Sequence, residues 1–297
     1  MEAEKPHDDI VIPFQLENGN IRGRIARLGP SLNEILHRHT YPQAVGELLG
    51  EAMVVASVLG TSLKFDGVFT FQAKSDGAVS MMVSDVSNDG SIRAYAQYDK
   101  DKLKDGGGPL LGKGYLAFTA DGLKENERYQ GIVELEGKSL SEAVQHYFKQ
   151  SEQIPTGIMA AVKCDAAGNW RGGCIMLQRM PKEGGTAVAN DTSVEDDWLR
   201  SMVLMKSCSA AELTDSALSS EDLLYRLFNQ EGVRVYDPLY LRHRCRCSDD
   251  RVASMLRGMP RNEVEALAVN GTVTITCEFC NRSYSFGEER LREIYKG

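Results

Sequence analysis

Cys245-Arg246-Cys247 and, 29 residues further on, Cys277-Glu278-Phe279-Cys280 decide how the C-terminal part of this chain folds. Four thiolates in two short pairs joined by a longer loop form the ligand set of a tetrahedral zinc site, and a small segment can supply them all. The Cys277 half has the spacing of a zinc knuckle. The Cys245 half has a single intervening residue, so its sulfurs are close enough to bond to each other once the metal is gone. Ligand chemistry and disulfide chemistry therefore compete for the same atoms. We expect one Zn2+ per chain in the reduced protein, held by Cys245, Cys247, Cys277 and Cys280.

The segment around these pairs, 241–297, has too few apolar residues for a large core, so metal should hold it together. Ser248-Asp249-Asp250 marks a helix start directly after Cys247, and Asn262 with Glu265 suggests a second short helix. Thr272 to Thr276 and Arg282 to Phe286 flank the knuckle as two strands.

The preceding segment, 183–240, has eleven acidic and four basic residues, against eight and ten in 241–297. It opens with Gly184-Gly185-Thr186-Ala187-Val188-Ala189-Asn190-Asp191-Thr192-Ser193, a run of small and polar residues expected to be a flexible boundary. Beyond it the pattern is helical but lightly anchored. Trp198, Met202 and Met205 share one helical face, and Ser219 with Asp222 occupies capping-box positions for a helix from Ser219 to Asn229.

Residues 1–182 form the first domain, of α+β class. Apolar residues at 45, 48, 49, 52, 56, 59 and 63 follow the three-and-four spacing of an amphipathic helix, with Pro42 suited to its first turn. One face of it must be buried. Val68 to Ala73, Val79 to Val83 and Ile92 to Tyr98, punctuated by Asp66-Gly67, Asp76-Gly77 and Asp89-Gly90, suggest an antiparallel meander. Further strands are expected at Tyr115 to Thr119, Tyr129 to Leu135, Met159 to Lys163 and Cys174 to Gln178, and a helix at Ser141 to Phe148.

The whole chain has 297 residues, 42% of them hydrophobic and 26% charged, an ordinary composition for a globular protein of more than one domain. Its acidic start, Met1 to Asp9, is unlike a signal peptide, and no stretch approaches 18 uninterrupted apolar residues, so we expect a cytoplasmic protein with no membrane span. In a reducing compartment paired cysteines point to metal binding or redox activity. The net charge of -8 argues against a general nucleic-acid binder.

Other candidates carry little chemistry. His243 could substitute as a ligand, but beside four thiolates it reads as a surface residue. Cys164, Cys174 and Cys208 lack tight partners and read as small buried hydrophobes. Gly107-Gly108-Pro109-Leu110-Leu111-Gly112-Lys113-Gly114 nearly matches a P-loop, yet Gly114 replaces the required hydroxyl and a strand follows where a helix is needed. The basic run Arg242 to Arg246 is followed at once by Asp249 and Asp250 and reads as a solvated face. No catalytic constellation is present, and the chain is not expected to be an enzyme.

The cysteine arrangement resembles that of the heat-shock protein 33 family, redox-regulated holdase chaperones. The resemblance extends through Tyr41-Pro42 to Ala52, Leu63-Lys64-Phe65-Asp66-Gly67, Leu110 to Gly114, Tyr129 to Leu135, Tyr147-Phe148 to Thr156, Leu224 to Phe228 and Cys247-Ser248. It implies an N-terminal substrate-binding and dimerisation domain (1–182), a metastable helical linker (183–240) and a C-terminal zinc switch (241–297). It also implies an ATP-independent stress-response chaperone that binds unfolding or aggregation-prone clients and is a homodimer when oxidised. The redox-active disulfides implied are Cys245 with Cys247 and Cys277 with Cys280. Two other classes fit parts of the pattern. A static zinc module recruiting a protein or nucleic-acid partner would share the cysteine spacing, and a thiol oxidoreductase would share the CxxC, although residues 273–286 read as a hairpin rather than a thioredoxin-like helix start.

The energetics favour a switch over a staple. Zinc binding in such a site contributes roughly 10 to 16 kcal/mol, largely as folding energy. Two disulfides closing loops of three or four residues return only about 2 kcal/mol each. Oxidation should therefore unfold 241–297, and the linker, deprived of that segment as its docking surface, should open at low cost. Trp198, Met202, Met205, Leu223, Leu224 and Phe228 would then be available to clients, with methionine adapting to irregular apolar surfaces.

Overall fold

Ile-Val-Ile-Pro-Phe-Gln-Leu and Gly-Gly-Cys-Ile-Met-Leu are strand sequences apolar on both sides, and the fold covers both sides. The computed structural model describes residues 7–63, 65–104, 109–122, 128–136, 139–181 and 192–296, in two units, Met1–His243 and Arg244–Gly297.

The first unit runs β1 (Ile10–Leu16), β2 (Ile21–Leu28), α1 (Pro30–His37), α2 (Gln43–Gly60), β3 (Val68–Ser75), β4 (Val79–Ser87), β5 (Ser91–Tyr98) and α3 (Lys100–Lys104). It continues with β6 (Lys113–Ala120), β7 (Tyr129–Glu136), α4 (Leu140–Tyr147), β8 (Thr156–Cys164), β9 (Trp170–Arg179), α5 (Thr192–Ser207), α6 (Ala210–Leu213) and α7 (Ser220–Phe228). Three short strands end it: β10 (Val233–Val235), β11 (Leu239–Tyr240) and β12 (Arg242–His243). The first sheet has the order β10-β1-β2-β9-β8, with β11 also on β1; the second has the order β12-β5-β4-β3-β6-β7. The expected α+β class and the β3-β4-β5 antiparallel meander are both present.

Helix α2 packs against strands of both sheets and is buried nearly all round after its first turn, not on one face only. Its length and composition would suffice to cross a bilayer, but here its side chains form the centre of the core. Pro42 is its N-cap. The Ser139 and Glu142 side chains close a capping box at the start of α4.

On the first sheet, Val11, Ala26, Leu28, Cys174 and Met176 face the α2 core. The alternate residues Ile10, Ile12, Phe14, Leu16, Ile25, Ile175 and Leu177 form a second cluster with α5 to α7. This corrects one expectation: the middle helices are not lightly anchored, because their apolar side chains rest on the first sheet, whose outer face would otherwise meet water. Most of the expected boundary stretch lies outside the described residues, as do Lys64, Gly107 and Gly108; its last two residues, Thr192 and Ser193, already belong to α5. The strand expected after the P-loop-like run is β6.

The second unit comprises α8 (Asp249–Arg257), α9 (Arg261–Ala266), β13 (Thr272–Thr276), β14 (Ser283–Gly287) and α10 (Glu288–Ile294). Ser248 caps α8, accepting a hydrogen bond from the Arg251 amide. Helix α9 starts after Pro260, which presets the first turn, so Asn262 lies inside the helix and not at its cap. Strands β13 and β14 form the expected hairpin. The core is Ala253, Leu256, Val264, Val273, Phe286, Leu291 and Ile294.

Candidate metal centre

Two loops meet in the second unit. Cys245 and Cys247 lie on the stretch that precedes α8, and Cys277 to Cys280 make the turn between β13 and β14. The turn is closed by the Cys277 amide on the Arg282 carbonyl (2.9 Å) and the Asn281 amide on the Cys277 carbonyl (2.8 Å), with Asn281 in the left-handed region at φ 57°. The four sulfurs lie within 4.8 Å of one another. Cys245 Sγ is 3.7 Å from Cys277 Sγ, and Cys247 Sγ is 3.3 Å from Cys280 Sγ. A tetrahedral zinc with bonds of about 2.3 Å places its sulfurs about 3.8 Å apart, so the donor set fits that metal in number, type and spacing.

The surroundings favour thiolates at some positions and oppose them at others. The Tyr284 hydroxyl donates to Cys247 Sγ at 3.1 Å. Burial works against ionising Cys247, but the bonds from Tyr284 and the neighbouring thiols outweigh it and bring its pKa down to about 7. Burial pushes Cys277 up, and Cys280 up to about 12, despite backbone N–H groups directed at both sulfurs. Four crowded sulfurs cannot all ionise unaided, and a bound cation would supply the compensating charge.

The remaining residues named from sequence fall outside this centre. His243 is not a surface residue: its side chain is 6% exposed, with Nδ1 3.0 Å from Glu34 Oε1, because β12 pairs with β5 and the His243 amide donates to Ser31 Oγ. Cys174 and Cys208 are buried and Cys164 is half-buried. Met205, Leu223, Leu224 and Phe228 are core, Trp198 is nearly so, and Met202 packs at its edge. Five of the six are buried and Met202 is half-buried.

Sequence reasoning missed the residue that fastens the middle helices. Arg27, on β2, is 1% exposed, and its guanidinium donates to the carbonyls of Glu212 and Asp215 (2.7 Å each) and Leu218. The available signal was a charge amid Ile25-Ala26-Arg27-Leu28. Two surface-side ties assist it: Arg171 holds Asp8 and the Thr214 carbonyl, and Arg200 holds Asp197 and Glu231.

A protein-family model described as Hsp33 protein matches residues 9–287. The chain belongs to the Hsp33 family. It is 38% identical to the 33 kDa chaperonin of Caulobacter vibrioides, covering 93% of this chain and 94% of that one. It is 35% identical to the 33 kDa chaperonin of Pseudomonas paraeruginosa, covering 98% and 96%. The crystal structure of the Thermotoga maritima 33 kDa chaperonin has the same fold, with a TM-score of 0.79 at 21% identity over 97% of this chain and 98% of that one. Hsp33 is a chaperone family, and the four-cysteine cluster lies at the C-terminal end of its matched region.

Proposed function

We propose that this Hsp33 chain is a cytoplasmic, redox-regulated, ATP-independent holdase that captures unfolding proteins under oxidative stress. Its functional parts would be a substrate-binding and dimerisation domain (1–182), a metastable linker (183–240) and a zinc switch (241–297). Bound zinc would hold the four thiolates together and, through them, the small fold around them. On oxidation, each pair of thiols gives two electrons and two protons to one hydrogen peroxide, yielding one S–S bond and two waters. Cys245 would join Cys247 and Cys277 would join Cys280. All four sulfurs lie within 4.8 Å of one another, so neighbour pairs and crossed pairs are both within reach once the metal leaves, and peptide mapping of the oxidised chain distinguishes them.

The observation that carries this reading is how the switch is wired to the helices. Cys245 follows His243, the last residue of β12, by two positions, and β11 and β12 are only two residues each. Loss of order at Cys245 therefore pulls on short pairings that fray easily. Beyond them, α5 to α7 lie over an apolar sheet face. Their release would uncover both Trp198, Met202, Met205, Leu223, Leu224 and Phe228 and the Ile12, Phe14 and Ile25 surface beneath, while the acidic linker stays soluble. Oxidised chains would act as homodimers.

Zinc release, read beside light scattering of a denaturing client, tests the proposal. Peroxide with mild heat is expected to release one zinc per chain, lower the far-ultraviolet helix signal and suppress scattering without ATP, and reductant plus zinc to reverse all three. Equal protection by reduced, zinc-loaded protein would instead favour a static zinc module that recruits a partner.

A further inference from the structure

The first unit contains a cavity of about 240 Å3 that the redox switch does not use. Leu59, Phe69, Phe118 and Phe148 give it apolar walls, and Arg22, Arg24, Tyr129 and Glu152 its polar groups. Arg24 is the group without an explanation. Its Nε is buried with no hydrogen-bond partner, and burial, with Arg22 beside it, pushes its guanidinium below the usual arginine value. Among the described residues neither Arg22 nor Arg24 has an acidic partner. The one carboxylate on the wall, Glu152, already accepts 2.7 Å hydrogen bonds from both the Tyr129 and Tyr147 hydroxyls.

A partly buried guanidinium with no acidic partner in the wall of an aromatic pocket carries a desolvation cost that an entering anion would offset, since its fork pairs with a planar carboxylate. A dianionic phosphate would bring excess charge toward Glu152, whereas a monocarboxylate balances Arg24. The volume lies below the roughly 300–1,000 Å3 of drug-sized sites, which suits a short tail and not a polypeptide segment. We propose that this cavity binds a small monocarboxylate with a short apolar or aromatic tail, its carboxylate on Arg24 and its tail among Phe69, Phe118 and Phe148.

Octanoate is a suitable probe for calorimetric titration of the reduced full chain. Binding is expected to saturate at one per chain, and octan-1-ol, which has the tail without the charge, to bind about tenfold more weakly or worse. Arg24→Gln should lose about tenfold or more in octanoate affinity, and Arg24→Lys less. In the unmutated chain the Arg24 Nε–H resonance should move along the titration, a readout that does not depend on any variant folding. Non-saturating uptake, equal binding of octan-1-ol, or an unmoved Arg24 resonance overturns the site. These measurements use reduced protein and no client, so their failure is distinct from failure of the holdase reading.

Discussion

The two units hold together by different means. The first packs one cluster between two sheets and a second between a sheet and three helices, so either face of its first sheet is closed by side chains. The second has seven buried apolar side chains and four sulfurs. Cohesion from side-chain packing is indifferent to redox state; cohesion from thiolates depends on it entirely. The helices α5 to α7 fall between these extremes. They bury apolar residues like a core, yet they are fastened by the polar ties of Arg27, Arg171 and Arg200, which can be broken one at a time.

The largest effect should follow from Cys280→Ser. In the proposed zinc site three thiolates would leave an exchangeable position, and most of the roughly 10 to 16 kcal/mol that the metal would contribute should be lost. Metal analysis should fall from one zinc per chain toward none, and amide resonances of residues 244–296 should lose dispersion while those of β1 to β9 keep theirs. Retained dispersion in 244–296 would show that the small unit stands on its own seven-residue core and is held, like the first, by side-chain packing.

Arg27→Met comes next. It leaves the carbonyls of Glu212, Asp215 and Leu218 without their donor inside a buried cluster, at about 3 to 5 kcal/mol. Hydrogen exchange should speed up in α6 and α7 and stay unchanged in α2. Reduced protein should then show part of the client protection that we propose follows oxidation. If α2 loosens equally, the helices are simply part of one cooperative core.

Much of this was legible in the sequence, for identifiable reasons. The four cysteines announce their site because ligand spacing is a local property, and β3 to β9 because turn residues and period-two runs bracket them. Strands β1 and β2 were not assigned. Strand β1 is largely buried on both faces, so Ile10 to Leu16 shows no alternation to read, and what covers the outer face lies about two hundred residues away. For the same reason the sheet face beneath the linker helices was not named. The linker's apolar residues were visible, but the partner surface is fixed by sheet order, which no local pattern encodes. Arg27 was passed over because an isolated arginine is ordinarily a surface residue, and only the β2 register turns it toward the helices.

Gly173→Ala sharpens the comparison with a smaller effect. A methyl group there would lie 2.7 Å from both Leu213 Cγ and the Leu213 carbonyl oxygen, so it presses on the backbone at the end of α6 without altering the helices themselves. Overpacking of this kind costs about 1 to 3 kcal/mol. The oxidant or temperature needed for activation should fall while zinc affinity stays unchanged. A variant with wild-type activation would mean that docking at Leu213 does not limit opening.

The smallest effect is a pH dependence at Glu231, which joins α5 to the turn after α7. The Arg200 guanidinium, at 2.6 Å, holds the Glu231 carboxyl below its ordinary value of 4.5 against opposing burial, and Asn18 adds a hydrogen bond. A group whose folded value is depressed contributes stability that is full above its unfolded value and is lost as pH falls through the folded one. Fastening of α5 and α7 should therefore weaken on acidification below about pH 4.5. Glu51 and Asp9, raised by burial, act with the opposite sign, so the total curve does not isolate the tie. The difference between unmutated protein and Glu231→Gln does. Exchange rates of α5 amides, followed from about pH 6 to about pH 3, should converge for the two proteins at the acid end and separate above it. A constant separation across that range would show that Glu231 acts through shape and not through its charge.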